Sequence, residues 1–369
     1  LHTLTFSAMN TARPQGIDLS VELLRGVAAI MVMLCHYAVI IHGTERSWLS
    51  FFYTGVDFFF VISGFVFAPV LLAPGRENVT AFVIRRVFRI YPLFLAAIFL
   101  YALLPHKTWD NSIILQHALF LHTTVSKEIA FYYNPAFWSL PVEIEFYLLI
   151  ALLVSIKTRK TKYILTLLFG LSLMTSLMTH YLLAADSHAK LVLTHHLPVI
   201  LPEFLLGTLA YQISRNCGKL PGLIAGVAGI VLLFMLGQGF VAHGENIFNM
   251  TYGLFNLFCA LGYQWILIAS AVLFRPSRSI DAFTLLASVM GNLSYGIYLF
   301  HNAIPPLLRL HFQLDGFLLL TGSILGTLCL SAIMYNTLED PARKYGRRFA
   351  RQFYKAGRSD LRGLTGNNQ

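Results

Sequence analysis

The sequence predicts an all-α polytopic integral membrane protein with about ten transmembrane helices and both termini in the cytoplasm. Three observations predict it. Of 369 residues, 56% are hydrophobic and only 12% charged, with a mean hydropathy of +0.65. That is about half the charge of a soluble domain. Apolar stretches long enough to cross a bilayer recur along almost the whole chain. Lys and Arg gather in alternate connections, the pattern that sets membrane orientation.

In chain order, residues 1–17 read as a polar N-terminal arm, 18–340 as a membrane domain and 341–369 as a basic cytoplasmic tail. The spans fall at 19–41, 51–73, 82–104, 140–156, 162–183, 198–213, 221–241, 252–274, 285–307 and 316–337. The first carries Arg25 and His36 and lacks a small-residue cleavage pattern, so a cleavable signal peptide is not expected. The second holds GVDFFFVISGF, the third opens on RRVFRIYP, and the fourth follows Ser139 with Pro141 in its first turn. The fourth and sixth are the shortest. Residues 105–139 form the longest connection, with an interfacial helix expected around Ser112 to Leu121. No internal repeat or second domain is evident.

With a cytoplasmic N-terminus, 20 Lys and Arg fall on the inside and five outside, with Arg25 and Arg89 within spans. An even number of spans then returns the C-terminus to the cytoplasm of an inner-membrane protein. The net charge of +10 is therefore topological. The run from Arg343 to Arg362 is expected on anionic lipid headgroups, and nucleic acid is not an expected partner. Four scattered cysteines, Cys35, Cys217, Cys259 and Cys329, suggest neither a disulfide framework nor a zinc site. No HExxH or clustered ligand pattern appears, and no metal is expected.

The chemistry lies in ionisable residues placed where a bilayer disfavours them. Arg25 and His36 are eleven residues apart in LLRGVAAIMVMLCH. That is about three helical turns, so they share a face roughly 16 Å apart in depth. Neutral His36 can take a proton from a hydroxyl; its alternative is a packed histidine bonded to a backbone carbonyl. Arg86 and Arg89 are an i, i+3 pair at the inner start of the third span. They suit either a phosphate-bearing ligand or ordinary anchoring to lipid phosphates. Glu143 is favoured by a helix N-terminus with or without catalysis. Asp57, followed by three phenylalanines, needs a partner, for which a structural salt bridge or hydrogen bond is one reading. Ser294, Tyr298 and His301 form a polar strip that either lines a cavity or joins two helices. Asp57, Glu143, Glu203, His36 and His301 fall on the outer side, and Arg25, Arg86, Arg89 and Glu339 toward the cytoplasm.

These blocks carry a resemblance. LLRGVAAIMVMLCH, GVDFFFVISGF, RRVFRIYP, WSLPVEIEFY, FLLGTLAY, LSYGIYLFH and NTLEDPARK occur in the order of the acyltransferase-3 family of integral-membrane O-acyltransferases, from about residue 17 to 345. Any one block is weak, but the ordered set is specific. The resemblance implies a ten-helix domain that moves an acyl group, usually acetyl, from cytoplasmic acyl-CoA. The acceptor would be a hydroxyl of a surface glycan or glycolipid, such as lipopolysaccharide O-antigen or exopolysaccharide. It assigns catalysis to His36 and Arg25, with Glu143 as the family acid and Glu22 before the LRG.

Arg86, Arg89 and Arg25 would bind the donor, His36 would act as general base, and Glu143 or Asp57 would orient it. His301, Tyr298, Ser294 and Glu203 would lie on the acceptor side. Acyl-CoA would be a substrate, with no tightly bound cofactor. Some members add an esterase-like domain after the membrane part, and the end of this chain suggests a single-component enzyme. The competing class is a proton-coupled exporter of a glycan or lipid, which also needs intramembrane acids and histidines. It lacks support from inverted repeats or paired broken helices. A non-catalytic scaffold fits poorly with so many buried ionisable groups.

Overall fold

The computed structural model describes residues 19–365, except 44, 45, 74–76, 106, 157, 159, 245 and 275–281. The expected polar arm 1–17 lies outside the described residues, as do Arg13, Arg76, Lys157, Arg159, Arg275 and Arg278 of the inner charge set. The described residues form helices joined by turns, without strands. Ten long helices match the ten expected spans: α1 (Leu19–His42), α2 (Gly55–Leu72), α3 (Val79–Ala102), α4 (Ser139–Ile156) and α5 (Thr161–Leu182), then α6 (Leu197–Asn216), α7 (Lys219–His243), α8 (Phe255–Leu273), α9 (Ala282–Phe300) and α10 (Gly316–Met334).

Among the described residues, nine stretches are long and apolar enough to cross a membrane, rather than ten. The exception is α3, because Arg85, Arg86 and Arg89 fall within its first half. Its arginines are taken up inside the protein, as described below. The helix itself is one of the most enclosed, with Leu93, Phe94, Ala97 and Ile98 fully buried.

Two sequence features set the helix ends nearest the site. The ninth span, expected to run to 307, stops at Phe300 and turns through His301–Ala303 into a separate helix, Ile304–Phe312. Pro305 lacks the N–H that would bond the His301 carbonyl. Tyr37 fills the vacancy, its hydroxyl donating to that carbonyl at 2.7 Å. Beyond α10 the chain passes through a π turn, Tyr335–Glu339, into α11 (Asp340–Thr365). Pro341 likewise lacks a donor for the turn before it, and the wider turn carries Glu339 inward, 2% exposed.

α1 packs on α9, α2 on α6, α7 on α8, and α3 on α11. Two glycines permit the α2–α6 crossing. A Cβ on Gly207 would stand 1.8 Å from the Val61 carbonyl oxygen, and one on Gly64 would stand 1.7 Å from that of Phe204. The α2 and α6 backbones therefore touch, as small residues allow between membrane helices. Thr208 adds a hydrogen bond to the Gly64 carbonyl at 3.1 Å. Around the crossing, Phe60, Phe146 and Phe204 pack as a ring cluster, with Phe146 stacked on Phe204 at 4.0 Å. α5 and α7 stand at the periphery and expose apolar side chains such as Leu167, Tyr181, Ile230 and Phe234.

The long connection holds a helix at Asn111–Ala118, ending before the expected Leu121, and two single-turn helices, His122–Val125 and Lys127–Ala130. Phe120, at φ 58°, breaks the first helix and folds His122 back over His117. The two imidazoles stack in parallel, 4.3 Å apart, and both are fully buried.

Candidate active site

His36 lies in the fifth turn of α1, half-buried. Its Nδ1 is 2.9 Å from the Val32 carbonyl oxygen and 3.1 Å from Nε2 of His301. His301 Nδ1 is in turn 3.0 Å from the Ile297 carbonyl oxygen. A carbonyl oxygen only accepts, so each Nδ1 carries hydrogen. His301 Nε2 is then a lone pair that accepts from His36 Nδ1–H. By the same reasoning His36 Nε2 is unprotonated. Among the described residues nothing bonds it, and it is not sealed from solvent. The arrangement fixes one histidine in the tautomer a general base requires.

The break after α9 positions His301. Its carbonyl is held by Tyr37, whose hydroxyl also bonds Thr327 at 2.8 Å. The neighbouring Leu299 carbonyl accepts from Asn134 at 3.1 Å and Tyr101 at 3.2 Å. Asn302 donates to Asn134 at 2.8 Å and closes the network.

A narrow cleft of about 50 Å³ gathers most of the remaining expected residues. Arg25 of α1, Arg89 of α3, Glu143 of α4, and Ser294 and Tyr298 of α9 all line it. Tyr298 OH bonds Ser139 Oγ and the Ala136 carbonyl, both at 2.5 Å, and its ring centroid is 6.4 Å from that of His301. Ser294 donates to the Gly291 carbonyl at 2.7 Å and is spent on its own helix. Arg25 reaches both Glu22 oxygens at 3.4 Å. Arg89 is half-buried, in the field of Glu339, Glu22 and Glu143, and Glu339 also holds Arg343 at 3.5 Å.

Three placements differ from the sequence expectation. Glu143 does not stand apart from the arginines on the outer side; it shares the cleft with Arg25 and Arg89. It lies in the second turn of α4, which brings it to the wall of the same cleft. Arg86 and Arg89 do not converge. Arg86 sits in an aromatic cage, 5.0 Å from the Phe67 ring centroid and 5.8 Å from those of Phe82 and Tyr147. The Tyr147 hydroxyl donates to Glu143 while its ring walls the Arg86 cage, so that tyrosine links Arg86 to the cleft. Asp57, expected to orient His36, instead bonds Asn256 at 3.1 Å and Glu203. That group opens on a separate cavity.

Sequence reasoning also left Tyr147, Tyr37 and Asn134 unassigned, and Arg343, expected on lipid headgroups, instead pairs with Glu339 at 3.5 Å. Tyr147 follows Glu143 by one helical turn and was legible as an i, i+4 partner. Tyr37 and Asn134 act on a helix break that only the assembled bundle defines.

Known proteins supply an independent comparison. A model of the acyltransferase-3 family, described as an acyltransferase domain, matches residues 18–336. The chain is 24% identical over 365 residues to a membrane-bound transacylase, BcsY, of Komagataeibacter xylinus, covering 91% of this chain and 85% of BcsY. It is 25% identical over 342 residues to the O-acetyltransferase OatA of Staphylococcus aureus, covering 84% of this chain and 55% of OatA. It thus spans little more than half the length of that relative. No solved structure matches the chain. The matched region contains all ten long helices and every cleft residue, and the chain belongs to the acyltransferase-3 family.

Proposed function

We propose that the protein is an inner-membrane O-acyltransferase that moves an acyl group, acetyl in the simplest case, from cytoplasmic acyl-CoA to a glycan hydroxyl. The observation that carries this reading is the open Nε2 of His36, held in its tautomer by His301, on the helix that also carries Arg25 into the cleft. The similarity to an O-acetyltransferase and to a membrane-bound transacylase supports it.

In this reaction the acceptor oxygen attacks the thioester carbonyl carbon while its proton passes to His36 Nε2. The C–S bond then breaks, and the CoA thiolate takes that proton back, giving an ester and free thiol. The imidazolium formed in between donates from Nδ1 to the Val32 carbonyl and to His301, both already in place. Arg25 and Arg89 supply fixed positive charge for the anionic donor or for the oxygen that becomes negative during attack. Glu143 lines the same cleft as those guanidiniums, and it is held by the Tyr147 hydroxyl, whose ring also walls the Arg86 cage.

Transfer of labelled acetyl from acetyl-CoA, measured in membranes holding equal amounts of folded wild type, His36→Ala and Arg25→Ala, tests this directly. His36→Ala should lose about 10²-fold or more in turnover. Arg25→Ala should lose transfer with a raised KM for acetyl-CoA. Full transfer by folded His36→Ala would sink the base assignment.

A further inference from the structure

The last helix presents three different faces. Gly346 and Ala350 of α11 are both buried, and α11 lies so close to α3 that a Cβ on Gly346 would stand 2.4 Å from that of Phe88. Beside that face Tyr345, Phe349 and Phe353 form an aromatic stripe at four-residue steps. Tyr345 stacks on Phe349 with ring centroids 6.3 Å apart, and Phe353 meets Phe349 edge-on at 5.6 Å. The stripe is not covered: Tyr345 is 60% exposed and Phe349 37%. The remaining face carries Arg347, Arg348 and Arg351, all exposed. From Asp340 to Arg351 five Lys and Arg stand against that one acid.

Exposed aromatic rings and a basic face on one helix suit the plane of an anionic bilayer surface, where the rings enter the acyl boundary and the arginines meet headgroup phosphates. A nucleic acid or an acidic protein would use the arginines but leave the rings in water. The neighbouring turns of α3 expose Val83 and Val87, so the apolar surface continues onto a helix of the bundle. The same helix reaches the cleft. Glu339, in the π turn that leads into α11, has Oε1 3.5 Å from the Arg343 guanidinium, while its buried Oε2 has no hydrogen-bond partner. Arg89 and Arg25 of the cleft lie with Arg343 in the field of that carboxylate. One carboxylate therefore stands between α11 and two cleft arginines, with one oxygen uncommitted. Held by Arg343, it leaves Arg89 to an anionic donor; released, it neutralises Arg89.

We infer that α11 lies in the plane of an anionic phospholipid surface and that its hold there, passed through Arg343 and Glu339 to Arg89, tightens binding of the acyl donor. The inference rests on the acyltransferase reading for the identity of that donor. The test is calorimetric titration of the full-length protein with acetyl-CoA in two kinds of nanodisc. One is phosphatidylcholine alone, and the other is equal parts phosphatidylcholine and phosphatidylglycerol. Salt at about 0.15 M confines repulsion of the anionic donor by the lipid surface to about 8 Å. Wild type should bind acetyl-CoA about fivefold more tightly with phosphatidylglycerol present. Arg347→Gln, Arg348→Gln and Arg351→Gln together should abolish that gain while affinity in phosphatidylcholine stays within about twofold of wild type. Glu339→Gln should bind alike in both lipids. Wild type indifferent to the lipid, or either variant keeping the wild-type gain, would overturn the coupling. An equal loss in both lipids for the triple variant would put its arginines on the donor itself and overturn the coupling too. In a cysteine-free background, a nitroxide on Phe349→Cys should be relaxed by oxygen dissolved in the bilayer, and one on Arg348→Cys by an aqueous nickel chelate. A label at 349 relaxed mainly by the chelate would overturn the seat in the surface. Absence of acetyl-CoA binding in both lipids, with the label at 349 in lipid, would overturn the acyltransferase reading and leave the lipid seat standing.

Discussion

At the residue scale, the proposed mechanism rests on a pair of histidines. His36 alone is a side chain with two interchangeable tautomers. Its Nδ1 faces the Val32 carbonyl and the lone pair of His301, and that leaves one tautomer. In the proposed mechanism His301 is a positioning residue, and substitutions at 301 separate this role from a packing one. His301→Ala should lower turnover about 10²-fold with little change in the acetyl-CoA KM. His301→Gln places an acceptor oxygen near the position of Nε2 and should recover much of the loss. Equal activity in wild type and His301→Ala would remove His301 from the mechanism. Arg25 and His36 were legible in the sequence as a pair on one face. The third party, His301, lies 265 residues away from His36, and helical spacing cannot report such a contact.

At the scale of elements, the site depends on close helix crossings and on helices that end early. Gly207→Ala drives a Cβ into the Val61 carbonyl and separates α2 from α6. The overpacking should destabilise the protein by ~1–3 kcal/mol. In detergent or nanodiscs the midpoint of thermal unfolding should fall by several degrees. Gly170, in the exposed face of α5, has nothing within 4 Å of its Cβ position, and Gly170→Ala should leave the midpoint unchanged or raise it. Matching midpoints for the two variants would contradict the crossing geometry.

The connection between α3 and α4 answers to pH instead. Burial, with repulsion from Lys107, pushes His117 down to about 4; burial, with repulsion from His117, pushes His122 down to about 3. Both values lie below the ordinary 6.5, so the folded connection resists protonation. Its stabilisation is complete above about pH 6.5 and is lost progressively as pH falls through about 4 and 3. Hydrogen exchange at residues 111–138 should accelerate between pH 6.5 and 4, after correction for intrinsic rates. His122→Phe should flatten that dependence, and an unchanged profile in His122→Phe would show that another group titrates.

At the scale of the whole molecule, the positive-inside count predicts a direction for transfer, with the arginine cleft entered from the cytoplasm and the cavity beside Asp57 and Glu203 opening outside. In a cysteine-free background, Glu128→Cys should react with a membrane-impermeant maleimide in intact cells. Arg351→Cys should react only after permeabilisation. The reverse pattern would invert the orientation and, with it, the two sides of the reaction. α11 bears on the same question: it packs on α3 through Phe88 and Tyr345 while Arg347, Arg348 and Arg351 are exposed, as a helix lying on anionic headgroups would require.

The sequence by itself determined the helical class, the ten long helices to within a few residues, and the candidate ionisable residues. Each depends on local composition: twenty apolar residues have few alternatives to a helix in a bilayer, and a charge within them stands out. Only the tertiary structure decided how those residues divide. Arg86 and Arg89 are three residues apart on one helix, yet the neighbouring helices give one an aromatic cage and the other the cleft. Asp57 and Glu143 both read as acids near helix starts, yet one sits with Glu203 beside a separate cavity and the other lines the cleft with two arginines. Partner choice among buried charges is a long-range contact set by which helices cross and how closely. Here that rests on glycines whose role appears only once a second backbone lies against them.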